Sequence, residues 1–160
     1  AVRDSLAALY GTRVTAVGAG DSLTLEGGGL IVLSPPGNGG ENLDENAASL
    51  VIRFSLGDRT VLFPGDIGPD IQRPLSAWKG RIRADIMSIP HHGARGLDPE
   101  FLASAGPRVA VISCGLNNRF GHPAAETIAA VTRSGARILR TDLDGGVMLS
   151  IPNMAVSTAR

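Results

Sequence analysis

Apolar and polar positions alternate in short runs along the chain, and the period of the pattern changes near its middle. Residues 3–9 are expected as a short helix or the tail of one. Residues 13–17 and 22–25 alternate as half-buried strands do, and Glu26 with Gly27-Gly28-Gly29 makes a turn into a further run at 30–33. The stretch from Ser34 to Glu41 is dominated by Pro, Gly and Asn and reads as an exposed loop. Two apolar runs follow, 49–55 and 60–63. Leu56-Gly57-Asp58-Arg59 between them is a hairpin signal. Beyond residue 70 the period lengthens. Residues 70–78 space Ile71, Leu75 and Trp78 on one helical side.

From there strand and helix alternate. Residues 84–89 predict a strand, and 99–104 a helix with Asp98 as N-cap and Pro99 at the first helical position. Residues 109–113 predict a buried strand, 123–133 a helix opened by Pro123, and 137–140 a strand. Asp142-Leu143-Asp144-Gly145-Gly146 reads as a hairpin turn into a last strand, 147–151. Strand pairs followed by strand–helix alternation predict a layered α/β domain.

The chemistry-bearing residues gather where predicted strands end, which is where α/β folds build sites. Phe63-Pro64-Gly65-Asp66 puts a carboxylate after one strand, and Pro90-His91-His92-Gly93 puts two imidazoles after the next. Neighbouring strands would bring Asp66 and the histidines together as a set suited to zinc or manganese. Read blandly, Asp66 is a turn residue and each histidine a surface residue. A third element, Asn118-Arg119-Phe120-Gly121-His122-Pro123, leads from strand to helix. The Gly27–Gly29 run precedes a strand, not a helix, so it is not a phosphate cradle. Asp142, Asp144 and Gly145 lack the spacing of a calcium loop. Cys114 follows a buried strand and reads as a small apolar residue.

Taken in order, Asn46-Ala47-Ala48-Ser49-Leu50-Val51, Leu62 through Asp66, Ile89 through Gly93, Val111-Ile112-Ser113, Asn118 through Pro123, and Thr141-Asp142 with Gly145 resemble the metallo-β-lactamase superfamily. The nearer resemblance is to the C-terminal hydrolase domains of the ComEC type of DNA-internalisation competence protein. It runs from about residue 20 to 151. It implies an α/β fold of the metallo-β-lactamase-like αβ/βα sandwich kind. Two divalent metal ions, manganese or zinc, are implied at one edge. Asp66 is implied as the bridging ligand, and His92 or His91 as the histidine ligand. His122 is implied as a proton donor beside the substrate. Asn46, Ser49, Arg95, Asn118 and Arg119 are the candidate substrate contacts, with Asn46 and Ser49 read first as loop-ordering hydrogen-bond residues.

The resemblance implies a metal-dependent nuclease acting on DNA during uptake. The parent would be a bacterial cytoplasmic membrane protein whose hydrolase domain is soluble and extracytoplasmic. Upstream membrane-spanning segments and other competence proteins would be its partners. The superfamily's His-x-His-x-Asp-His run is missing, and no histidine precedes His91. Residues 1–160 are therefore expected to form one partial domain with its first half upstream of Ala1, a site incomplete in this chain, and a piece inactive alone. Another phosphodiesterase of the same fold, such as a phosphocholine esterase, and a non-catalytic DNA-binding relative are the alternatives.

Composition changes this picture little. At 160 residues and 43% hydrophobic the chain suits one domain with a real core. Fifteen lysines and arginines balance fifteen aspartates and glutamates, so net charge makes no case for a polyanion. A single cysteine excludes an internal disulfide and a cysteine-based zinc cluster. No apolar run approaches the roughly 20 residues needed to cross a bilayer. The start, Ala1-Val2-Arg3-Asp4, lacks both an initiator methionine and signal-peptide character, so the chain reads as an excised piece.

Overall fold

Two hairpins open the fold, each made where a Gly-containing pair separates β-rich runs. The computed structural model describes residues 11, 15–36, 43–151 and 153–159. β1 (Ser22–Leu25) pairs antiparallel with β2 (Gly28–Ser34) around Glu26-Gly27. β3 (Val51–Leu56) pairs with β4 (Arg59–Phe63) around Gly57-Asp58, as the sequence predicts. The expected helix at 3–9 lies outside the described residues, as do positions 13–14 of one expected strand. Positions 15–17 of that strand carry none. The expected loop at 34–41 begins inside β2, is irregular at 35–36, and lies outside the described residues from 37 on.

After β4 every further strand of this sheet runs parallel to its neighbour. β5 (Ile86–Ser88), β6 (Val109–Ile112) and β7 (Arg137–Arg140) extend a seven-stranded sheet in the order β1-β2-β3-β4-β5-β6-β7. Parallel neighbours need helical crossovers. These are α1 (Pro69–Ser76) and α2 (Lys79–Ile82), then α3 (Pro99–Ala105), then α4 (Ala125–Arg133).

The two faces of the sheet read directly from register. Leu62, Met87 and Ala110 lie in one row and belong to the main core with Leu75, Ile82, Phe101, Leu102 and Val131 of the helices. Val61, Ile86 and Val109 form the alternate row and pack on Val147, Leu149 and Val156. Those three come from a separate antiparallel pair, β8 (Gly146–Ser150) and β9 (Ala155–Ala159). Burial on both faces is why these parallel strands read as continuous apolar runs. Each fully buried large side chain such as Leu62 or Phe101 contributes roughly 1.5–3 kcal/mol.

Three expectations are corrected. The helix expected over 70–78, with Trp78 on the side of Ile71 and Leu75, stops at Ser76, and Trp78, at φ −93° and ψ 44°, stands 41% exposed. Ile82 of the extra helix α2 is buried instead. Pro123 does not open α4, whose N-cap is Ala124: that residue is extended, at φ −65° and ψ 141°, and its N–H is donated to the Gly93 carbonyl at 2.8 Å. The turn at 142–146 is a short helix, α5 (Thr141–Asp144), in which Asp144 Oδ2 accepts Arg140 N–H at 2.8 Å. The cap of α3 follows the expectation: Asp98 accepts from the Glu100 and Phe101 N–H groups. Buried Gln72, which sequence pattern did not single out, joins α1 to that cap. Its amide donates to the Ile67 carbonyl and accepts Asp98 N–H.

Candidate functional site

The carboxyl-terminal ends of β4, β5 and β6 meet in one layer of loops. β4 ends at Phe63, and Pro64-Gly65 turns the chain so that Asp66 stands beyond the strand. Gly65 has φ 61°, and a Cβ there would lie 2.8 Å from the Ser49 Cβ, so the loop before β3 closes directly on this turn. Asp66 N–H is donated to Ser49 Oγ at 3.2 Å. Ser49 is thus a loop-ordering residue beside the site. Asn46 acts through its carbonyl, which accepts Ser49 N–H, while Asp44, unforeseen, accepts Ala47 N–H.

Beyond β5 the chain tightens into a 3-10 turn, Pro90–Gly93. His91 (φ 50°), His92 (φ 57°) and Gly93 (φ 80°) are consecutive left-handed residues. For the histidines that conformation costs on the order of 1–2 kcal/mol each. Such strain persists where surrounding contacts over-determine it. Here His91 N–H is donated to the Gly65 carbonyl and the Gly93 carbonyl accepts Ala124 N–H.

This twist sets the rings. His92 Nδ1 lies 2.9 Å from the Ser113 carbonyl oxygen at the end of β6, and its Nε2 lies 3.9 Å from Asp66 Oδ1. The His91 ring centroid is 6.4 Å from that of His92 and 5.8 Å from that of His122, and the last two are 6.5 Å apart. All three histidines and Asp66 therefore share one open surface. The side chains of His92 and Asp66 are 55% and 43% exposed.

The loop after β6 completes the surface. Asn118 does not reach outward. Its side-chain oxygen accepts His122 N–H at 2.9 Å, and its amide nitrogen donates to the His122 carbonyl at 2.6 Å and the Gly115 carbonyl at 3.0 Å. It holds His122 in place. A cleft of about 450 Å³ runs between His92, His122, Phe120, Asn118 and the Ser113–Gly115 backbone. Arg119 is exposed and stands over the Phe120 ring, 5.1 Å from its centroid. Arg95 is exposed and paired with Glu126 at 3.2 Å, which offsets the charge it would bring to a phosphate.

Burial pushes the His122 imidazole below its ordinary range, and the neighbouring His91 and His92 push it further. Asp66 pulls the other way. Cys114 lines the same cleft. Burial and a hydrogen bond with Asp142 raise its thiol, so it stays protonated and unreactive near neutrality, in keeping with its reading as a packing residue. Sequence reasoning quoted Ser113 and Thr141 only within the resemblance and gave them no role: Ser113 acts through its carbonyl, and the Thr141 hydroxyl accepts Cys114 N–H and donates to the Cys114 carbonyl.

The donors fit a divalent ion in kind. Two ligands of one tetrahedral ion stand about 3.3 Å apart given bonds near 2.0–2.1 Å. The Asp66–His92 pair, at 3.9 Å, is within a small adjustment of that. A carbonyl on the far nitrogen is also the usual support for a metal-binding imidazole. Among the described residues no group of three or more His, Cys, Asp or Glu is arranged to hold an ion.

The chain as a whole is similar to parts of known proteins. The chain is 30% identical over 144 residues to ComE operon protein 3 of Bacillus subtilis (strain 168), covering 89% of this chain and 18% of that protein. It is 29% identical over 122 residues to competence protein ComA of Neisseria gonorrhoeae, covering 75% and 18%. It thus spans under a fifth of either relative. No family model matches. Among solved structures it is similar to a mutant of CmlA beta-hydroxylase, with a TM-score of 0.57 at 17% identity, over 88% of this chain and 34% of that one. At that identity the likeness speaks for the fold alone, and it agrees with the sheet and helix layers described above. In sequence the chain is thus similar to one part of the ComEC-type competence proteins, and its fold is of the metallo-β-lactamase kind.

Proposed function

We propose that Asp66 and His92, with His91 beside them, are ligands of a divalent-metal centre in a phosphodiester hydrolase that cuts DNA. The observation that carries this reading is the Asp66–His92 pair, 3.9 Å apart, with the far nitrogen of the ring held by a carbonyl. An oxygen–imidazole donor set suits manganese or zinc. Such ions, when bound, polarise a phosphate oxygen and acidify a water.

The chain's own residues position the substrate. The cleft between His92 and Phe120 receives the scissile phosphate, and Arg119, stacked over Phe120, contacts the flanking backbone. His122, neutral near pH 7 in the free chain, gains a proton more readily once a phosphodiester anion lies between the rings. In that state it donates to the leaving oxygen. Asn118 and Ser49 serve by ordering the loops that carry His122 and Asp66.

The parent protein would work in DNA uptake at the bacterial cytoplasmic membrane, with this domain on the extracytoplasmic side. Membrane-spanning segments and other competence proteins would be its partners. Among the described residues no helix is long and apolar enough to cross a membrane. With Asp66 and one or two histidines as its ligands and no His-x-His-x-Asp-His run, these 160 residues alone are expected to bind metal weakly or not at all and to carry out no hydrolysis. Calorimetric titration with manganese and zinc tests this, and tight binding of two ions would contradict it. In the intact parent, Asp66→Ala should abolish metal-dependent DNA cleavage, and undiminished cleavage would remove the proposed role of Asp66.

A further inference from the structure

Trp78, the chain's single tryptophan, is turned outward between α1 and α2. β4 delivers Asp66 at its carboxyl-terminal end, and α1 carries the chain back across the sheet. The α1–α2 junction therefore opens where β5 begins, away from the histidines. Residues 71–84 hold Arg73, Lys79, Arg81 and Arg83 and no carboxylate, in a chain whose charges balance overall. Arg73 is paired with Asp98 at 3.2 Å. Lys79, Arg81 and Arg83 are exposed, and none makes an ion pair among the described residues.

These cations surround an aromatic surface. The Arg81 guanidinium lies 5.7 Å from the Trp78 ring centroid. Two shallow clefts meet at Lys79 and Gly80. One, of about 520 Å³, is lined by Trp78 and Arg81, and the other, of about 390 Å³, by Arg83, Ser104 and the carboxylate of Glu100. A Cβ built on Gly80 meets nothing within 4 Å, so the saddle between them is open. Buried Ile82 anchors the short helix from beneath.

We infer that this patch binds a single-stranded polynucleotide, with an unpaired base stacked on Trp78 and successive phosphates on Lys79, Arg81 and Arg83. Stacking on an aromatic ring beside cations that follow the backbone is how proteins hold single strands without reading sequence. An anionic membrane surface answers to the same charges, but interfacial binding grows with the apolar area inserted. Here Leu75 and Ile82 are turned into the core, leaving Trp78 alone to insert. The patch does not rest on the metal-centre reading.

The test uses Trp78 as its own reporter. The 160-residue chain, in EDTA so that the metal centre plays no part, is titrated with a short oligodeoxythymidylate. Saturable quenching is expected, with affinity falling against salt at a log–log slope of about −2 for three phosphates on a single strand. With a labelled oligonucleotide followed by anisotropy, Trp78→Ala should weaken binding about tenfold and Trp78→Phe much less. The triple variant Lys79→Gln, Arg81→Gln, Arg83→Gln should flatten the salt slope towards zero. All four positions are exposed, and unchanged circular dichroism of each variant confirms that it folds. The inference is overturned by absent quenching, by equal affinity for a duplex, by indifference to Trp78→Ala, or by a blue shift with phosphatidylserine vesicles and none with the oligonucleotide.

Discussion

The Nδ1 atom of His92 lies 2.9 Å from the carbonyl oxygen of Ser113, twenty-one residues away in sequence. A carbonyl only accepts, so Nδ1 carries the hydrogen and the neutral ring presents its Nε2 lone pair towards Asp66. The orientation of a side chain at the end of β5 is thus decided by backbone at the end of β6. That backbone is itself fixed by Thr141, whose hydroxyl bonds both main-chain groups of Cys114, the residue after Ser113.

Thr141→Val should therefore disturb a histidine that it does not touch. The valine keeps the shape of threonine but removes both hydrogen bonds, leaving the Cys114 N–H and carbonyl to find other partners. Nitrogen-15 shifts of the His92 ring, measured above pH 8, should report the Nδ1–H tautomer in the parent chain and a mixture in the variant. Thr141→Ser should restore the single tautomer. Identical ring shifts in all three proteins would show that the clamp does not reach His92.

Asn118→Ala should loosen the loop that carries His122. The asparagine side chain satisfies both the N–H and the carbonyl of His122, and alanine leaves those groups to water or to nothing. A loss of about 1–3 kcal/mol is expected from urea unfolding. The His122 amide should also lose protection from hydrogen exchange, while amides in β5 and β6 keep theirs. Asn118→Asp, which retains the acceptor and loses the donor, should fall between.

Much of the scaffold was legible in the sequence because its signals are local. The Gly57-Asp58 hairpin, the Asp98 cap before Pro99 and the strand Arg137–Arg140 each follow from neighbours in the chain. The gathering of Asp66, His91, His92 and His122 was legible too, since parallel strands bring their ends to one edge. The exit of Trp78 was not, because helical spacing at 70–78 does not show that the helix halts at Ser76. Nor were the supports of His92: a carbonyl bonds alike whichever residue owns it, so nothing in the identity of Ser113 marks it. Strand β9 carries a weak apolar alternation, with Val156 turned towards the sheet, and left little pattern to read.

Gly93→Ala should cost more than an ordinary surface change. The glycine sits at φ 80°, and an added Cβ would come within 2.8 Å of the Pro123 Cβ and 3.0 Å of the Ile112 Cγ2. Backbone strain and a clash against a buried strand end then act together, and about 2 kcal/mol or more is expected from chemical denaturation. The two loops it separates carry His92 and His122, so the ring resonances of both should shift. A variant as stable as the parent would mean that the loops part without cost.

The last expectation concerns pH and the pair formed by Arg140 and Asp142. Arg140 Nε donates to Asp142 Oδ1 at 3.0 Å and a second guanidinium nitrogen bonds Oδ2, with Asp142 largely buried. These hydrogen bonds hold the Asp142 carboxyl below its ordinary 3.8, against the opposing effect of burial, and Cys114 helps as a further donor. The unfolded chain therefore binds the proton more readily than the folded one, so stability rises with pH across the interval between the two values. The contribution is complete above about pH 5 and is lost as pH falls through 3.8 towards the folded value. Asp142→Asn removes the charge and keeps the size. Urea midpoints for the two proteins should differ by a constant amount from pH 5 to 7 and converge as the pH drops to 3. Midpoints separated by the same amount at pH 3 as at pH 7 would show that the carboxylate's charge is not what Arg140 stabilises.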